Sequence, residues 1–244
     1  MKAWIIAISL IVTSVCSSAE ESPVKIVKLA PNVYQHISYL KLKVWGLVPA
    51  SGLIYVDGKD AYLIDTPWTQ SGTEQVVSWI KDNKLTLKAA VVSHYHQDAS
   101  GGLEYLNALG VQTYAYDMTN DLLQKQQREQ ANIGIRESVF SLLDGKLEVF
   151  YPGGGHAQDN IVIWLPGPKV MFGGCFVKSA KSTTLGNLED ASVQQWADSI
   201  DRVLLTYPDI ETLVPGHGQV GDKTLFEHTK QLVKAHKAKH KNKL

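Results

Sequence analysis

The sequence predicts a layered α/β protein in which β-sheets are covered by helices. Two observations support this prediction. Strand-forming segments come first along the chain, and helices then alternate with strands over the remainder. Between residues 20 and 225 the chain has no linker, low-complexity tract or block of like charge, so we expect one domain. Each half begins with strands and ends with helices, which hints at two related halves.

In the first half, the segments VKIVKLAPNVYQHISY and SGLIYVDGKDAYLIDTP each predict a strand, a turn and a second strand. Asp57-Gly58 is a hairpin turn signal between two apolar runs. Ser71 and Glu74 match a capping box at the start of a helix. The apolar face of that helix is formed by Val76, Val77, Trp79 and Ile80. The segment LKAAVVSHYH then predicts a buried strand, because its apolar residues are continuous rather than alternating.

The same alternation continues along the rest of the chain. Helices are predicted at GGLEYLNALG, closed by Gly110, and at MTNDLLQKQQREQ, with the strand VQTYAY between them. Later strands are predicted near GKLEVFYP, NIVIWLP, KVMFGG and ETLVPGHG. A helix that stops before Pro208 has an apolar face made of Val193, Trp196, Ile200 and Val203. The segment DKTLFEHTKQLVKAHKAKHKNKL predicts a final helix with a basic tail.

The first 19 residues are typical of a secretory signal peptide. Lys2 gives a positive start, residues 4–12 an apolar middle and residues 17–19 a small-residue cleavage pattern. The apolar run is too short to span a bilayer comfortably. We therefore expect export to the periplasm and a mature domain of residues 20–244. A lipid anchor on Cys16 is a minor alternative, since Val15 is bulkier than that processing usually accepts.

The net charge and the number of cysteines limit which partners and which disulfides this protein is expected to have. Lys+Arg and Asp+Glu both number 24, so the formal net charge is zero. This balance does not indicate binding to nucleic acid or to an anionic membrane, and we expect neither. Cys175 is the only cysteine after the predicted signal peptide, which leaves no partner for an internal disulfide. It is either a small buried hydrophobe or a thiol bound to something, such as a metal.

Possible metal ligands stand where the buried strand of the first half ends. His94, His96 and Asp98 alternate within AVVSHYHQDASGG. Alternation in an extended segment places residues on one side. Imidazole and carboxylate are both zinc ligands. The alternative interpretation is a polar strand end that enters a turn.

Three further residues repeat this arrangement of strand, small residues and ligand. They are His156 in GGGHAQDN, Cys175 in FGGCFVK and His217 in VPGHGQV. Loops held by a rigid sheet are where catalytic groups concentrate. The remaining histidines lie outside such corners and are predicted to be surface or structural residues: His36, His228, His236 and His240.

The six residues offer two sets of three ligands, one all imidazole and one of carboxylate, thiolate and imidazole. Nitrogen and sulfur ligands favour zinc over magnesium or calcium. Catalytic zinc typically has three protein ligands and leaves a position for water. Two such open sites side by side would form a two-metal hydrolytic centre.

The segments SHYHQDASGG, GGGHAQDN, GGCFVKS, LGNLED and VPGHGQVGD together resemble the metallo-β-lactamases, specifically the di-zinc subclass of class B with a cysteine ligand. The resemblance covers essentially the whole mature chain. It implies an αββα four-layer sandwich, with two packed, mostly β-sheets, helices on the outer faces and metals where the halves meet. It also implies two Zn²⁺ ions per chain, the first bound by His94, His96 and His156 and the second by Asp98, Cys175 and His217.

The resemblance gives roles to four further residues. Lys178 matches a lysine that binds the β-lactam carboxylate, and Asn187 matches an asparagine that helps at the developing oxyanion. Trp45 falls in a mobile hairpin that closes over substrate, and Trp68 adds a wall. The alternatives are a solvated charge for Lys178, a turn residue for Asn187 and a core residue for Trp45. Asp98 is implied to assist proton transfer as well as to bind metal.

One further residue is expected to support the metal ligands, and three positions differ from the pattern of the family. Asp65 is predicted to be structural and to hold a ligand loop in place. Ala157 stands where many relatives have serine or threonine, Gly154 replaces a common proline and Glu189 a common glycine. These departures leave the six ligands untouched and concern substrate range rather than reaction type.

The implied function is hydrolysis of the β-lactam amide of penicillins, cephalosporins and carbapenems, which confers antibiotic resistance. A zinc-bound hydroxide would be the nucleophile. The implied state is a monomer that acts on a small-molecule substrate. One alternative is a thioesterase of the glyoxalase II type, which usually has a histidine where this chain has Ala99 and an aspartate where it has Cys175. The other is a non-catalytic periplasmic zinc-binding protein, which would need neither open metal positions nor Lys178.

Overall fold

The computed structural model describes residues 22–241 of the chain, so the predicted signal peptide lies outside the described residues. Two β-sheets pack face to face and helices cover their outer faces, which confirms the predicted αββα sandwich. In this part of the chain, no helix is both long and apolar enough to cross a membrane.

The larger sheet has seven strands that follow one another in chain order. They are β1 Lys25–Ala30, β2 Val33–Leu42, β3 Gly46–Asp57, β4 Asp60–Ile64, β5 Thr86–Val92, β6 Gln112–Tyr116 and β7 Ile133–Ile135. The first four pair antiparallel, as the hairpin signals predict, and β4 to β7 pair parallel. The connection between β2 and β3 forms a long hairpin with Trp45 at its tip.

The smaller sheet has five strands in the order β12-β11-β10-β9-β8. They are β8 Val139–Leu142, β9 Leu147–Phe150, β10 Val162–Leu165, β11 Val170–Gly174 and β12 Thr212–Pro215. Only β11 and β12 pair parallel. Strands β7 and β8 are absent from the predicted elements, because their three and four residues carry too short a pattern to detect.

The described residues form six α-helices. They are α1 Gln70–Asp82, α2 Gln97–Ser100, α3 Leu103–Ala108, α4 Asp117–Lys125, α5 Trp196–Thr206 and α6 Thr224–Lys241. Helices α1 and α3 pack on the larger sheet, and α5 and α6 pack on the smaller one. Between the sheets lies a core in which side chains from both, such as Val91 and Phe172, are excluded from solvent.

Three predicted helix boundaries are wrong. Thr69 is the N-cap of α1, and its hydroxyl accepts the Gly72 N–H at 3.0 Å, so Ser71 lies inside the first turn and forms no capping box with Glu74. Helix α4 ends at Lys125 rather than continuing, since the following loop contains a residue with positive φ. Helix α5 begins at Trp196, so Val193 only flanks it.

His36 is a buried side chain of β2 that supports the site described below. Its Nε2–H donates to the Asp65 carbonyl oxygen at 3.0 Å, while its Nδ1 is buried without a partner in the described chain. Burial lowers the pKa of His36 to about 4, against the opposing effect of backbone hydrogen bonds. The imidazole is therefore neutral in the folded protein at neutral pH.

We predict that His36 makes the fold acid-sensitive. Below a pH of ~6.5 the unfolded chain binds a proton that the folded chain does not take up until about pH 4, so stability falls as pH falls through this window. Between pH 7 and 5 the free energy of unfolding should drop by ~2 kcal/mol more in the wild type than in His36→Gln. Urea unfolding at both pH values measures this difference, and parallel losses in the two proteins would contradict it.

Candidate metal centre

The structure brings the six candidate ligands together at one edge of the sandwich, where loops of both sheets meet. Three follow β5 of the larger sheet: His94, His96 and Asp98. Three come from loops of the smaller sheet, between β9 and β10, after β11 and after β12: His156, Cys175 and His217. The ligand atoms of Asp98, Cys175 and His217 lie within 4.8 Å of one another, and His94 forms equally compact groups with His96 and Asp98 and with His156 and Cys175.

The backbone after β5 does not stay extended, contrary to the alternation argument. His96 is the N-cap of α2, with φ −64° and ψ 156°, so Asp98 lies in the first turn of a helix. The change from strand to helix still brings His94 and Asp98 to the same side. Their Nε2 and Oδ1 atoms are 3.6 Å apart.

The three imidazoles surround a small space. His96 Nδ1 lies 3.1 Å from His156 Nε2, close to the ~3.3 Å expected between two nitrogens bound tetrahedrally to one zinc. The His94 ring stands edge-on to the other two, with centroids 4.8 and 5.3 Å away. His94 Nε2 is buried and has no hydrogen-bond partner among residues 22–241. Such a nitrogen is costly unless something binds it, and a metal ion fits this requirement.

The second set of ligand atoms is equally compact. Cys175 Sγ lies 3.1 Å from Asp98 Oδ2 and 3.3 Å from His217 Nε2, and the latter two atoms are 3.0 Å apart. His217 Nδ1–H donates to the Pro49 carbonyl oxygen at 2.6 Å, which fixes the tautomer and leaves Nε2 as the ligand atom. Carboxylate, thiolate and imidazole together form a zinc-type ligand set.

Asp65 fixes the loop that carries His94. Its carboxylate accepts the Ser93 N–H at 2.5 Å and the Ser93 hydroxyl at 2.7 Å. The Ser93 oxygen in turn lies 3.1 Å from His94 Nδ1 and accepts its hydrogen, so the lone pair of His94 is on Nε2. Asp65 itself has a φ of 55°, a strained conformation of the kind that persists where surrounding contacts enforce it.

No local sequence pattern indicates the residues that hold this loop from its other side. Asp159 Oδ2 accepts the Tyr95 N–H at 2.8 Å, and Arg128 donates to the Tyr95 carbonyl oxygen at 2.7 Å. Asp190 lies 3.0 Å from His96 Nε2. These contacts join residues that are 33 to 94 positions apart, so no local pattern records them.

Burial determines the protonation of most of the ligands. It lowers the pKa of His94 to about 3, despite the nearby Asp98, and it lowers the pKa of His156. Burial raises the pKa of the Cys175 thiol to about 11. Burial opposes ionisation of Asp98, but the hydrogen bond from His217 outweighs it and holds the pKa well below its usual range. Burial opposes protonation of His217, but the neighbouring Cys175 and Asp98 raise the pKa of this imidazole well above its usual range. His94, His156 and the Asp98 carboxylate are therefore ready to bind a cation, whereas Cys175 and His217 must each release a proton to do so.

A pocket of about 510 Å³ opens above the ligands, and all four predicted substrate-binding residues line it. Trp45, 61% exposed at the hairpin tip, is therefore not a core residue. Trp68 is buried, with its ring 6.3 Å from that of His217. The lining thus combines apolar walls with polar groups at one end, as is typical of a small-molecule site.

Lys178 and Asn187 form the polar end of the pocket. Lys178 is only 9% exposed, and its ammonium lies 5.4 Å from the centre of the Trp196 ring. It takes part in none of the ion pairs found in the described part of the chain. Asn187 Oδ1 accepts the Glu189 N–H at 3.1 Å, so Asn187 is a turn residue whose amide hydrogens are left as donors.

One departure from the family pattern has a structural reason. A Cβ atom at Gly154 would lie 2.5 Å from the Ser192 hydroxyl oxygen, so Ser192 occupies the space that a larger residue would need. Ala157 is fully buried, and its N–H donates to Asn160 Oδ1 at 3.0 Å. Glu189 is exposed.

Comparison with known proteins agrees with this geometry. Residues 45–217 match the family model described as the metallo-beta-lactamase superfamily. A "Metallo-beta-lactamase type 2" of Pseudomonas aeruginosa is 38% identical over 228 residues, 93% of this chain and 92% of the relative. A protein of the same name from Bacteroides fragilis is 40% identical over 212 residues, 86% of this chain and 85% of the relative.

Solved structures give the same result. The crystal structure of VMB-1 has 49% identity and a TM-score of 0.86, covering 87% of this chain and 97% of that one. The structure of DIM-1 metallo-beta-lactamase has 40% identity and a TM-score of 0.85, covering 88% and 99%. Fold, sequence and a zinc-type ligand set therefore agree. The chain belongs to the metallo-β-lactamase superfamily and, within it, to the class B β-lactamases.

Proposed function

We propose that this protein hydrolyses the amide bond of β-lactam antibiotics at a centre of two zinc ions. The observation that carries the proposal is the convergence of six zinc-type ligands at one edge of the sandwich, beside a pocket that is also lined by a buried, unpaired lysine. Relatives named metallo-β-lactamases, at about 40% identity over most of the chain, support it. Penicillins, cephalosporins and carbapenems are the proposed substrates.

The two ligand sets would each hold one ion. The first would be bound by His94, His96 and His156, and the second by Asp98, Cys175 and His217. The unpartnered Nε2 of His94 and the fixed tautomer of His217 support this assignment. Zinc, when bound, supplies a Lewis acid and lowers the pKa of a bound water to ~7.

Lys178 would bind the carboxylate that β-lactams share. Its ammonium is desolvated beside Trp196 and has no carboxylate partner within the described chain, so a substrate anion would satisfy it. Trp45 and Trp68 would bury the apolar parts of the substrate, because both line the same pocket. These contacts would orient the amide over the metal ligands.

Asn187 and Asp98 would act on the reacting groups. The Nδ2 hydrogens of Asn187 would donate to the oxyanion that develops when the amide carbonyl is attacked. Asp98 directs one carboxylate oxygen toward His94 and the other toward His217 and Cys175, so it lies between the two sets of ligands. In that position it would also take up and return a proton during the reaction.

We further propose that residues 1–19 direct export to the periplasm and that the mature domain acts as a monomer. The sequence pattern of the first residues supports export. The balanced charge supports the absence of a nucleic-acid or stable membrane partner.

Replacing Cys175 tests the second zinc site. We predict that Cys175→Ser loses affinity for one of two zinc ions and lowers kcat by at least ~100-fold, since a hydroxyl is a much poorer zinc ligand than a thiolate. Zinc content after dialysis and turnover of a chromogenic cephalosporin measure the two effects. Full activity with two bound ions would contradict the assignment.

Replacing Lys178 tests the substrate-carboxylate contact. We predict that Lys178→Met raises KM by ~10- to 100-fold and changes kcat less, because a charged hydrogen bond worth ~1.5–3 kcal/mol is lost while the apolar stem is kept. Lys223→Met is the matched control, since Lys223 is exposed and its Nζ donates to Pro208 at 3.4 Å. An unchanged KM for every carboxylate-bearing substrate would remove Lys178 from this role.

A further inference from the structure

We propose that helix α6 positions the substrate-binding lysine through two consecutive residues, His228 and Thr229. The inference rests on the proposed role of Lys178 in binding the β-lactam carboxylate. His228 and Thr229 each make a hydrogen bond to the main chain of residues 178–182, one at either end of this segment. We call residues 178–182 the lysine turn.

Thr229 holds the start of the lysine turn. Its Oγ1 accepts the Lys178 N–H at 2.9 Å, and its hydroxyl donates to the Leu225 carbonyl oxygen at 2.8 Å. Lys178 belongs to no helix or strand, so the threonine oxygen takes the place of a main-chain partner. Thr229 is fully buried, and an N–H left without an acceptor beside it would be costly.

His228 holds the end of the lysine turn. Its ring is half-buried, and its Nε2–H donates to the Ser182 carbonyl oxygen at 2.9 Å. Within the turn, the Ser182 N–H donates to the Ser179 carbonyl oxygen at 2.9 Å, and the two serine hydroxyl oxygens are 3.1 Å apart. The lysine turn is therefore closed on itself and attached to α6 at both ends.

Helix α6 is a rigid support for these two contacts. Leu225, Phe226 and Val233 bury the inner face of the helix in the core of the smaller sheet. The Phe226 ring packs edge-on to that of Phe176, which stands two residues before Lys178, with centroids 6.4 Å apart. The helix and the residues before the lysine turn thus belong to one close-packed cluster, to which the turn is fastened.

The lysine side chain needs this support because it has space on two sides. Lys178 lines the pocket above the metal ligands and also a neighbouring cavity of about 300 Å³, which Lys181 and Ser182 line as well. A lysine stem is flexible, so a shift of its main chain would let the ammonium leave the substrate pocket for the second cavity. The contacts of α6 with the main chain therefore set which of the two spaces the ammonium occupies.

Thr229→Val tests this role because it keeps the shape of the side chain and removes the acceptor. We expect KM for carboxylate-bearing β-lactams to rise ~3- to 10-fold, while kcat and zinc content change less than ~2-fold. Thr229→Ser, which keeps the hydroxyl, should return KM to within ~2-fold of wild type. Thr113→Val is the matched control and should leave KM unchanged, since Thr113 is fully buried in β6, its Oγ1 accepts the Asn132 N–H at 2.9 Å and it is absent from the pocket lining.

Two further comparisons separate positioning of Lys178 from a general loss of structure. In a Lys178→Met background, Thr229→Val should change KM by less than ~2-fold, because the side chain that it positions is gone. His228→Leu in the intact background should raise KM by ~2- to 5-fold. His236→Leu, further along the same helix, should leave KM unchanged.

Hydrogen exchange of the Lys178 amide, followed by NMR on the zinc-loaded protein without substrate, tests the attachment with no need for turnover. Exchange should be at least ~10-fold faster in Thr229→Val than in wild type and unchanged in Thr113→Val. Wild-type exchange in Thr229→Val would overturn the proposal, and so would KM losses that multiply in the double variant with Lys178→Met. Hydrolysis with an unaltered KM in Thr229→Val would reject the positioning role and leave the proposed function standing. A zinc-loaded wild type that hydrolyses no β-lactam would instead overturn the proposed function, and the exchange rates would still decide whether α6 holds the lysine turn.

Discussion

The packing of the two sheets against each other sets the geometry of the site, because each sheet supplies three of the six candidate ligands. Each proposed set of three contains residues from both sheets. Main-chain hydrogen bonds fasten the sheets beside the ligands, from Ser51 N–H to the Gly216 carbonyl oxygen at 2.8 Å and from Ile161 N–H to that of Ser93 at 2.9 Å. A metal ion in either set would cross-link the sheets, so metal binding and folding stability are coupled.

The loops that carry the ligands can meet because their backbones approach one another closely. A Cβ atom at Gly216 would lie 2.6 Å from Cys175 Sγ, so glycine there lets the loops of β11 and β12 come together. Burial then keeps His94 and His156 neutral, while Asp98 stays ionised through its hydrogen bond with His217. Packing thus sets the position of the ligands and, for His94, His156 and Asp98, the charge state that a cation needs.

Much of this could be predicted from the sequence, since the ligands sit in short, strongly patterned segments between strand and glycine. The layered α/β class followed from the order of strands and helices, whereas the αββα sandwich came from the resemblance to the metallo-β-lactamases. The supporting residues could not be predicted, because Asp190 reaches His96 from 94 positions away and Arg128 reaches Tyr95 from 33. The cap of α1 was misplaced because Thr69 and Ser71 are both good N-cap residues, and only the backbone geometry decides between them.

We propose that the two ligand sets form a zinc centre that opens β-lactam rings. Hydrolysis of imipenem and benzylpenicillin by purified mature protein, before and after EDTA treatment and again after zinc is restored, tests it most directly. We predict turnover that EDTA abolishes and zinc recovers. Absence of turnover in protein shown to hold two zinc ions would contradict it.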